Sequence, residues 1–504
     1  MISEVYSALP HGYEAKIITI EGDINRGLPS FTIIGMIDKT INEARERIRS
    51  AICNSNLSFP NKRLTINLAP AELRKTGSYL DLPIAMAILV ISGQLQASDT
   101  KGRLFIGELS LTGEVRPVKG IINIIEKAEK TNFTEVILPS DNYSQAKIIA
   151  KKIKITPVNS IIQLFKYLKK QNDIIYPQPV VKKTKTNTNA PTLDQVKGQS
   201  QAKRALIIAI AGHHNILLSG PPGAGKSMLA KVAHNLLPKP CQEELIQITK
   251  IHALSKSDNY DIMSIRPFRS PHHSASRAAI IGGGIYSQPG EISLAHLGVL
   301  FLDELPEFSR DTLESLRQPL EEKRIVISRS NLKVTYPANF TLIATMNPCP
   351  CGYFNTKGHE CSCTPNQIQA YRKKISGPIL DRFDLIINVN RSSISELVKN
   401  TTINLEHQIA KNNILQASRR QHKRYKSDTV FNSDLNSRQL SQLPTESAAL
   451  SFLKDAAEKL NLSARTYFKT IKVAQTIADL DQQDFIKQEH IAEALLYRQT
   501  LPTV

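Results

Sequence analysis

Hydrophobic positions along the chain fall into short apolar runs separated by turns and by stretches with helical spacing. In residues 1–170, strand patterns at 15–20, 31–34, 63–68, 103–106 and 135–138 alternate with helical patterns at 41–53, 81–92 and 121–130. This predicts an α/β or α+β domain with its own core. Residues 171–191 break the pattern, being rich in Pro, Lys, Thr and Asn with little to bury, and read as an exposed tether. Its Lys182, Lys183 and Lys185 either touch phosphates or simply solubilise the segment. From 192 to 390, apolar strands at 216–218, 298–302 and 340–344 each run into polar residues, which suits a buried parallel sheet. Within that stretch, 324–336 alternates β-formers around Ser330-Asn331 and predicts a hairpin. Residues 391–504 carry helical patterns at 393–405, 415–424, 446–461, 465–480 and 487–499, predicting an all-α region. The fold class is therefore multidomain α/β with a helical C-terminal part.

The length of 504 residues fits this division, since one core does not grow that large. Charge adds a partner class. With 64 Lys and Arg against 45 Asp and Glu, the net charge of +19 favours a polyanion such as nucleic acid, generic basicity being the alternative. The N-terminus lacks a basic segment followed by an apolar one, as a secretory signal would have, and the apolar run at 82–91 is too short to span a bilayer. Four of the six cysteines cluster in 349–363, unlike a disulfide framework, which points to a reducing cytoplasm and no membrane.

The chemistry is concentrated after the strand at 216–218. Gly220-Pro221-Pro222-Gly223-Ala224-Gly225-Lys226-Ser227 is a complete phosphate-binding loop between a strand and a helix. Its glycines let successive backbone N–H groups turn towards phosphate, and the helix N-terminus faces the same anion. Lys226 is expected to reach the β- and γ-phosphates of ATP, and the Ser227 hydroxyl to ligate Mg2+. Downstream, the strand at 298–302 ends in Asp303-Glu304. Asp303 is expected to hold magnesium through Ser227 and water, and Glu304 to activate the attacking water. Another strand ends at Asn347. Cys349, Cys351, Cys361 and Cys363 form two C-x-C pairs around a Gly-containing loop, a pattern that fits one tetrahedral Zn2+. Reduced thiols or a redox pair are the alternatives, and His359 is a substitute ligand. Arg266, Arg269, His272, His273 and Arg277 make a basic loop ending in glycines. It suits a loop gripping DNA, or else subunit packing or nucleotide-side contacts; the two histidines lack an acidic partner spaced for a metal. The basic run 417–426 reads as phosphate contact or as a solvated helix face.

The order of these motifs resembles AAA+ ATPases. The resemblance implies that backbone near Val196 and Gly198 meets adenine. It also implies that Asn347 is sensor 1, that Arg382 in Leu380-Asp-Arg-Phe-Asp384 is an arginine finger for a neighbouring subunit, and that Arg465 is sensor 2, coupling the lid to the nucleotide. Arg382 also has a plainer reading, a salt bridge to Asp381 or Asp384. The predicted hairpin is similar to pore-lining hairpins of that branch, which would put Arg329 and Lys333 on DNA. Gly27-Leu-Pro-Ser-Phe-Thr-Ile-Ile-Gly35, Gly77-Ser-Tyr-Leu-Asp-Leu-Pro-Ile-Ala85, Phe268-Arg-Ser-Pro-His-His273 and Met346-Asn-Pro-Cys-Pro-Cys-Gly352 are similar to phrases of the ComM/YifB family of magnesium-chelatase-like proteins. That resemblance spans nearly the whole chain. It implies a Lon-protease-like N-terminal domain, here degenerate because Asp81 and Ile122 occupy the nucleophile and lysine positions, though Ser78 and Lys119 lie nearby. It further implies a homohexameric ATPase that drives branch migration of single-stranded or branched DNA during transformation. Position 466 is Thr, where Gly is expected. A magnesium-chelatase motor subunit acting on a protein partner, a non-catalytic ATP-binding assembly factor and an ATP-dependent protease are the competing readings.

Overall fold

The computed structural model describes the chain except residues 1, 36–38, 74, 76, 179–189, 256–262, 285–286, 330–331, 357–358, 392–404 and 499–504. The chain divides into two compact units, Met1–Lys183 with Thr249–Met263, and Thr184–Ile248 with Ser264–Val504. Most of the predicted tether, including Lys182, Lys183 and Lys185, lies outside the described residues, as does the helix expected at 393–405.

The first unit is built on a seven-stranded mixed sheet in the order Ser30–Ile34, Arg63–Ala69, Glu14–Asn25, Ile2–His11, Arg103–Phe105, Glu135–Pro139, Lys154–Val158. The fully buried helix Asp81–Ile91 packs on it, which explains why its sequence has no polar face. Two strands of this sheet were not expected, Ile2–His11 and Lys154–Val158. The first hides its alternation because two of its inward positions are Ser3 and Ser7; Ser3 satisfies its hydroxyl on the Ala87 carbonyl at 3.2 Å.

At the expected acyl-transfer position, Asp81 is buried and accepts from Arg47 Nε at 2.8 Å and from the Leu109 N–H at 3.2 Å. Burial raises its pKa to about 6, against the pull of Arg47. Ile122 is a core residue, and the Ser78 hydroxyl donates to Glu108. From the 249–263 segment, Lys250 pairs with Glu126 at 2.5 Å and lies over the Tyr13 ring.

The second unit carries a five-stranded sheet in the order Phe268–Arg269, Val299–Leu302, Thr341–Met346, Ile216–Ser219, Leu385–Asn388, with every neighbouring pair parallel. The three central strands are buried throughout, so a continuous apolar sequence is what they require. Parallel strands put their C-terminal ends on one edge, and there the functional loops gather. The hairpin pairs Arg324–Arg329 with Leu332–Pro337 in the register Ser328 to Lys333. Its tip, Ser330-Asn331, lies outside the described residues.

The C-terminal helices Glu406–Tyr425, Ser447–Lys459, Ala464–Leu480 and Gln488–Leu496 share one apolar core with this sheet. Thr466 fits where Gly was expected: its N–H donates to the Ser463 cap, and its hydroxyl accepts from Arg498 at 2.9 Å.

Candidate active site

The loop leaves the C-terminal end of Ile216–Ser219, pinned at its start by the Gly220 N–H donating to the Met346 carbonyl at 3.2 Å. Glycine is needed at 220 because a Cβ would stand 2.1 Å from the Val389 carbonyl oxygen. Gly223 and Gly225 have φ of +77° and +83° with open space where a side chain would go, a cradle for a backbone-bound anion. Ala224 between them is buried. Pro221 and Pro222 complete the turn, and the Pro221 carbonyl accepts from Lys226 Nζ at 3.0 Å.

Lys226, at the start of helix Lys226–Leu236, also donates to Gly220 and, at 3.1 Å, to Asn347 Oδ1. Ser227 Oγ donates to Asp303 Oδ2 at 3.0 Å. Lys226, Ser227, Asp303, Glu304 and Asn347 therefore converge on one edge of the sheet.

One organising residue escaped the sequence reading. The Thr345 hydroxyl donates to Asp303 Oδ1 and accepts the Glu304 N–H at 3.0 Å. A single buried hydroxyl thus orients both acids, and Glu304 is held at φ +54°. The signal was a Thr near the end of a largely apolar strand, two residues before Asn347. His273 Nδ1 lies 3.9 Å from Glu304 Oε2. On the other side, Val196 is buried, Gly198 has φ of +63°, and Gln199 Nε2 donates to the Ala224 carbonyl at 3.3 Å, bringing that turn against the loop.

Burial pushes the Lys226 ammonium down to about 8, with Asp303 and Glu304 pulling it back up. Phosphate oxygens beside it favour the charged form. Nucleotide affinity is therefore expected to fall as pH rises through about 8, with net proton uptake on binding near that pH. Calorimetry in two buffers of different ionisation enthalpy reads this directly; binding without proton exchange would refute it.

Arg382 and Arg465 are not part of this cluster. Arg382 lies just before Leu385–Asn388, at the N-terminal end of a strand parallel to Ile216–Ser219, so at least roughly 10 Å of strand separates it from the loop. It is 9% exposed, donates to the Pro378 carbonyl at 2.7 Å, and shares the Glu321 carboxylate with Arg465. Its plainer alternative, a salt bridge to Asp381 or Asp384, is corrected to one with Glu321. Asp384 instead meets Lys469 at 2.8 Å and His214 at 3.5 Å. Burial alone would raise the Asp384 carboxyl, but these two neighbours hold it well below the usual carboxylate range. Lys469 also bonds the Asp381 carbonyl at 2.7 Å and the Phe383 carbonyl at 3.1 Å, so the lid helix clamps the turn that carries Arg382.

The DNA-contact expectation fails for Arg266. It is 5% exposed, with its guanidinium spent on Glu244 (2.7 and 3.0 Å) and on the Pro238 and Leu297 carbonyls. Arg269 is engaged by Glu291 through two hydrogen bonds at 2.6 and 2.7 Å, which largely neutralises it. Arg277 and Lys333 are exposed; the Arg329 side chain lies outside what is described. Arg266→Ala would strand a buried carboxylate and is expected to cost about 3–5 kcal/mol, seen as a lowered denaturation midpoint. An unchanged midpoint would contradict the burial.

The four cysteine Sγ atoms lie within 4.8 Å of one another, the one group of three or more metal-ligating side chains drawn together among the described residues. Cys349 is 3.3 Å from Cys351 and 3.7 Å from Cys361, and Cys351 is 3.6 Å from Cys361. Tetrahedral Zn–S bonds require sulfur–sulfur edges of about 3.8 Å, so the cluster has the right size. Backbone N–H groups of Cys351 and Phe354 donate to Cys363 and Cys349 sulfurs. His359 is turned elsewhere, stacked on Tyr353 and bonded to Arg391.

Comparison with known proteins finds matches along most of the chain. Residues 192–397 match the family described as magnesium chelatase, subunit ChlI; residues 20–142 match subunit ChlI of Mg-chelatase, and 406–498 its C-terminal part. The chain is 41% identical to the competence protein ComM of Haemophilus influenzae, covering 98% of this chain and 97% of that one. It is also 41% identical to YifB of Escherichia coli, over 99% and 97% of the two chains. The magnesium-chelatase 67 kDa subunit of Chlorobaculum parvum is 24% identical across 30% of this chain and 23% of its own.

Proposed function

The chain belongs to the magnesium-chelatase-like ComM/YifB family of AAA+ proteins, and on that premise we propose that it is an ATP-hydrolysing ring motor acting on DNA. The observation that carries the ATPase reading is the chain of contacts from Ser227 through Asp303 and Thr345 to Glu304. Gly220 to Ser227 would hold the triphosphate, Val196 and Gly198 the adenine, and Ser227 with Asp303 the magnesium. The bound metal would neutralise phosphate charge. Glu304 would take the proton from water, and Asn347 would orient that water.

Arg382 and Arg465 sit together a strand's length from their own loop, which supports their acting on the site of the next subunit in a homohexamer. That reading moves Arg465 from its own chain's nucleotide to the neighbour's. Zinc at Cys349, Cys351, Cys361 and Cys363 is part of the same proposal. The N-terminal domain would be a non-proteolytic Lon-like unit serving assembly or DNA, and the protein cytoplasmic; among the described residues no helix is long and apolar enough to cross a membrane.

DNA as substrate rests on the charge of +19 and the full-length likeness to a competence protein, with branch migration during transformation as the task. The surface groups offered for it are Lys333, Arg277 and the hairpin strand bearing Arg329. The test is the ATP turnover rate with and without single-stranded or forked DNA. Stimulation is expected. No stimulation, together with no ATP-dependent retention of DNA by a Glu304→Gln variant, would remove DNA from the proposal.

A further inference from the structure

The cysteine loop does more than follow Asn347 in sequence; it grips the phosphate loop. Gly352, between the two halves of the cluster, has φ of +87°, and a Cβ there would stand 2.6 Å from Pro222 Cδ. The backbone of the cysteine loop therefore lies directly on the Pro222 ring. Arg391 also reaches this proline, donating from Nε at 3.3 Å and Nη2 at 3.1 Å to the Pro222 carbonyl. The same guanidinium donates from Nη1 to His359 Nε2 at 2.7 Å and lies over the Tyr353 ring. Tyr353 stacks on His359 with centroids 4.8 Å apart. Arg372 ties the next turn by donating to the Pro348 carbonyl at 3.3 Å. Pro222 is thus contacted both by Gly352 and by Arg391; Gly352 lies between Cys351 and Cys361, and so do Tyr353 and His359, which hold Arg391.

A loop that binds phosphate through backbone N–H groups must be held in its binding shape, or ligand binding has to supply the ordering free energy. Short C-x-C segments do not hold a shape by apolar burial; three of these four cysteines are only partly buried. A tetrahedral metal supplies that rigidity through coordination bonds. We propose that metal bound by the four cysteines, acting through Arg391 and Gly352, preorganises the phosphate loop, so that nucleotide affinity depends on metal occupancy. This rests on the zinc reading given above, and Arg391 is a positioning residue that need not touch nucleotide.

The test uses the full-length protein and a fluorescent ATP analogue, with zinc measured on the same samples. One zinc per chain is expected. Removing it with a zinc-selective chelator that spares magnesium is expected to weaken nucleotide binding by roughly 10-fold or more, with recovery when zinc is returned. Arg391→Ala is expected to keep its zinc and weaken binding by a comparable factor, raising KM for ATP more than it lowers kcat. Arg391→Lys should recover part of the loss. This variant guards against simple unfolding, since its zinc content and denaturation midpoint should match the parent. Zinc present, with affinity unmoved by both chelation and Arg391→Ala, would overturn the coupling and leave the metal site standing. Protein purified without chelators that contains no zinc would overturn both.

Discussion

Replacing Glu304 by glutamine is expected to lower ATP turnover by roughly 100- to 10,000-fold while leaving nucleotide affinity nearly intact. The reason is a division of labour in the site. In the proposed site, phosphate would be faced by the backbone of Gly220 to Gly225 and by Lys226, whose hydrogen bonds run to Gly220, Pro221 and Asn347. Glu304 instead protrudes past Asp303 at φ +54°, with its backbone N–H held by the Thr345 hydroxyl at 3.0 Å. Such a left-handed backbone costs of order 1–3 kcal/mol in a non-glycine residue, and Thr345 anchors it. Glutamine keeps shape and backbone but cannot accept the proton. Single-turnover hydrolysis alongside a nucleotide titration separates the two effects. Turnover within a few fold of the parent would show that another group activates water.

Arg382→Ala is expected to lower turnover by roughly 1,000- to 100,000-fold, the range for removing an arginine that stabilises transferring phosphate. This follows only if Arg382 leaves Glu321 and reaches across a subunit boundary, because within its own chain it lies beyond the far end of the neighbouring strand. If the ion pair with Glu321 were its whole role, the loss would appear in stability and hardly in kcat. The side chain is nearly buried, so the alanine variant also loses packing. Arg382→Lys keeps a cation there and separates the cases: it cannot reproduce the planar fork, so turnover should stay low while stability recovers. Glu321→Gln should weaken the hold on both Arg382 and Arg465, and hydrolysis should survive it.

The parts of the site readable from sequence are those whose chemistry needs consecutive residues. A phosphate loop must be one continuous turn, and two acids must end one strand, so Gly220 to Ser227 and Asp303-Glu304 announced themselves. Contacts between distant residues did not. Arg266 looked like a member of a basic loop, but Glu244, 22 positions earlier, takes its charge into the core. Thr345 resembled any β-former until its hydroxyl was seen between two acids. Thr466 looked like a departure from the expected glycine, and only Arg498, 32 positions later, explains it. The strand Ile2–His11 went unread for a related reason. Serine on an inward face hides the alternation, and its acceptability depends on a helix carbonyl at Ala87. Arg465 shows the same limit at the level of the site: its motif suggests a role, but its pairing with Glu321, 144 positions earlier, is invisible in the sequence.

On this proposal the unit of catalysis is a pair of neighbouring subunits. This is tested most directly by mixing two inactive proteins, Lys226→Ala and Arg382→Ala, and measuring ATP turnover. The first lacks a working loop but keeps its arginine; the second keeps the loop and lacks the arginine. In a head-to-tail ring assembled at random from equal amounts, about one interface in four pairs an intact loop with an intact Arg382. The mixture is expected to regain turnover that neither protein has alone. Turnover that stays at the level of the separate variants, in rings shown to have exchanged subunits, would contradict it.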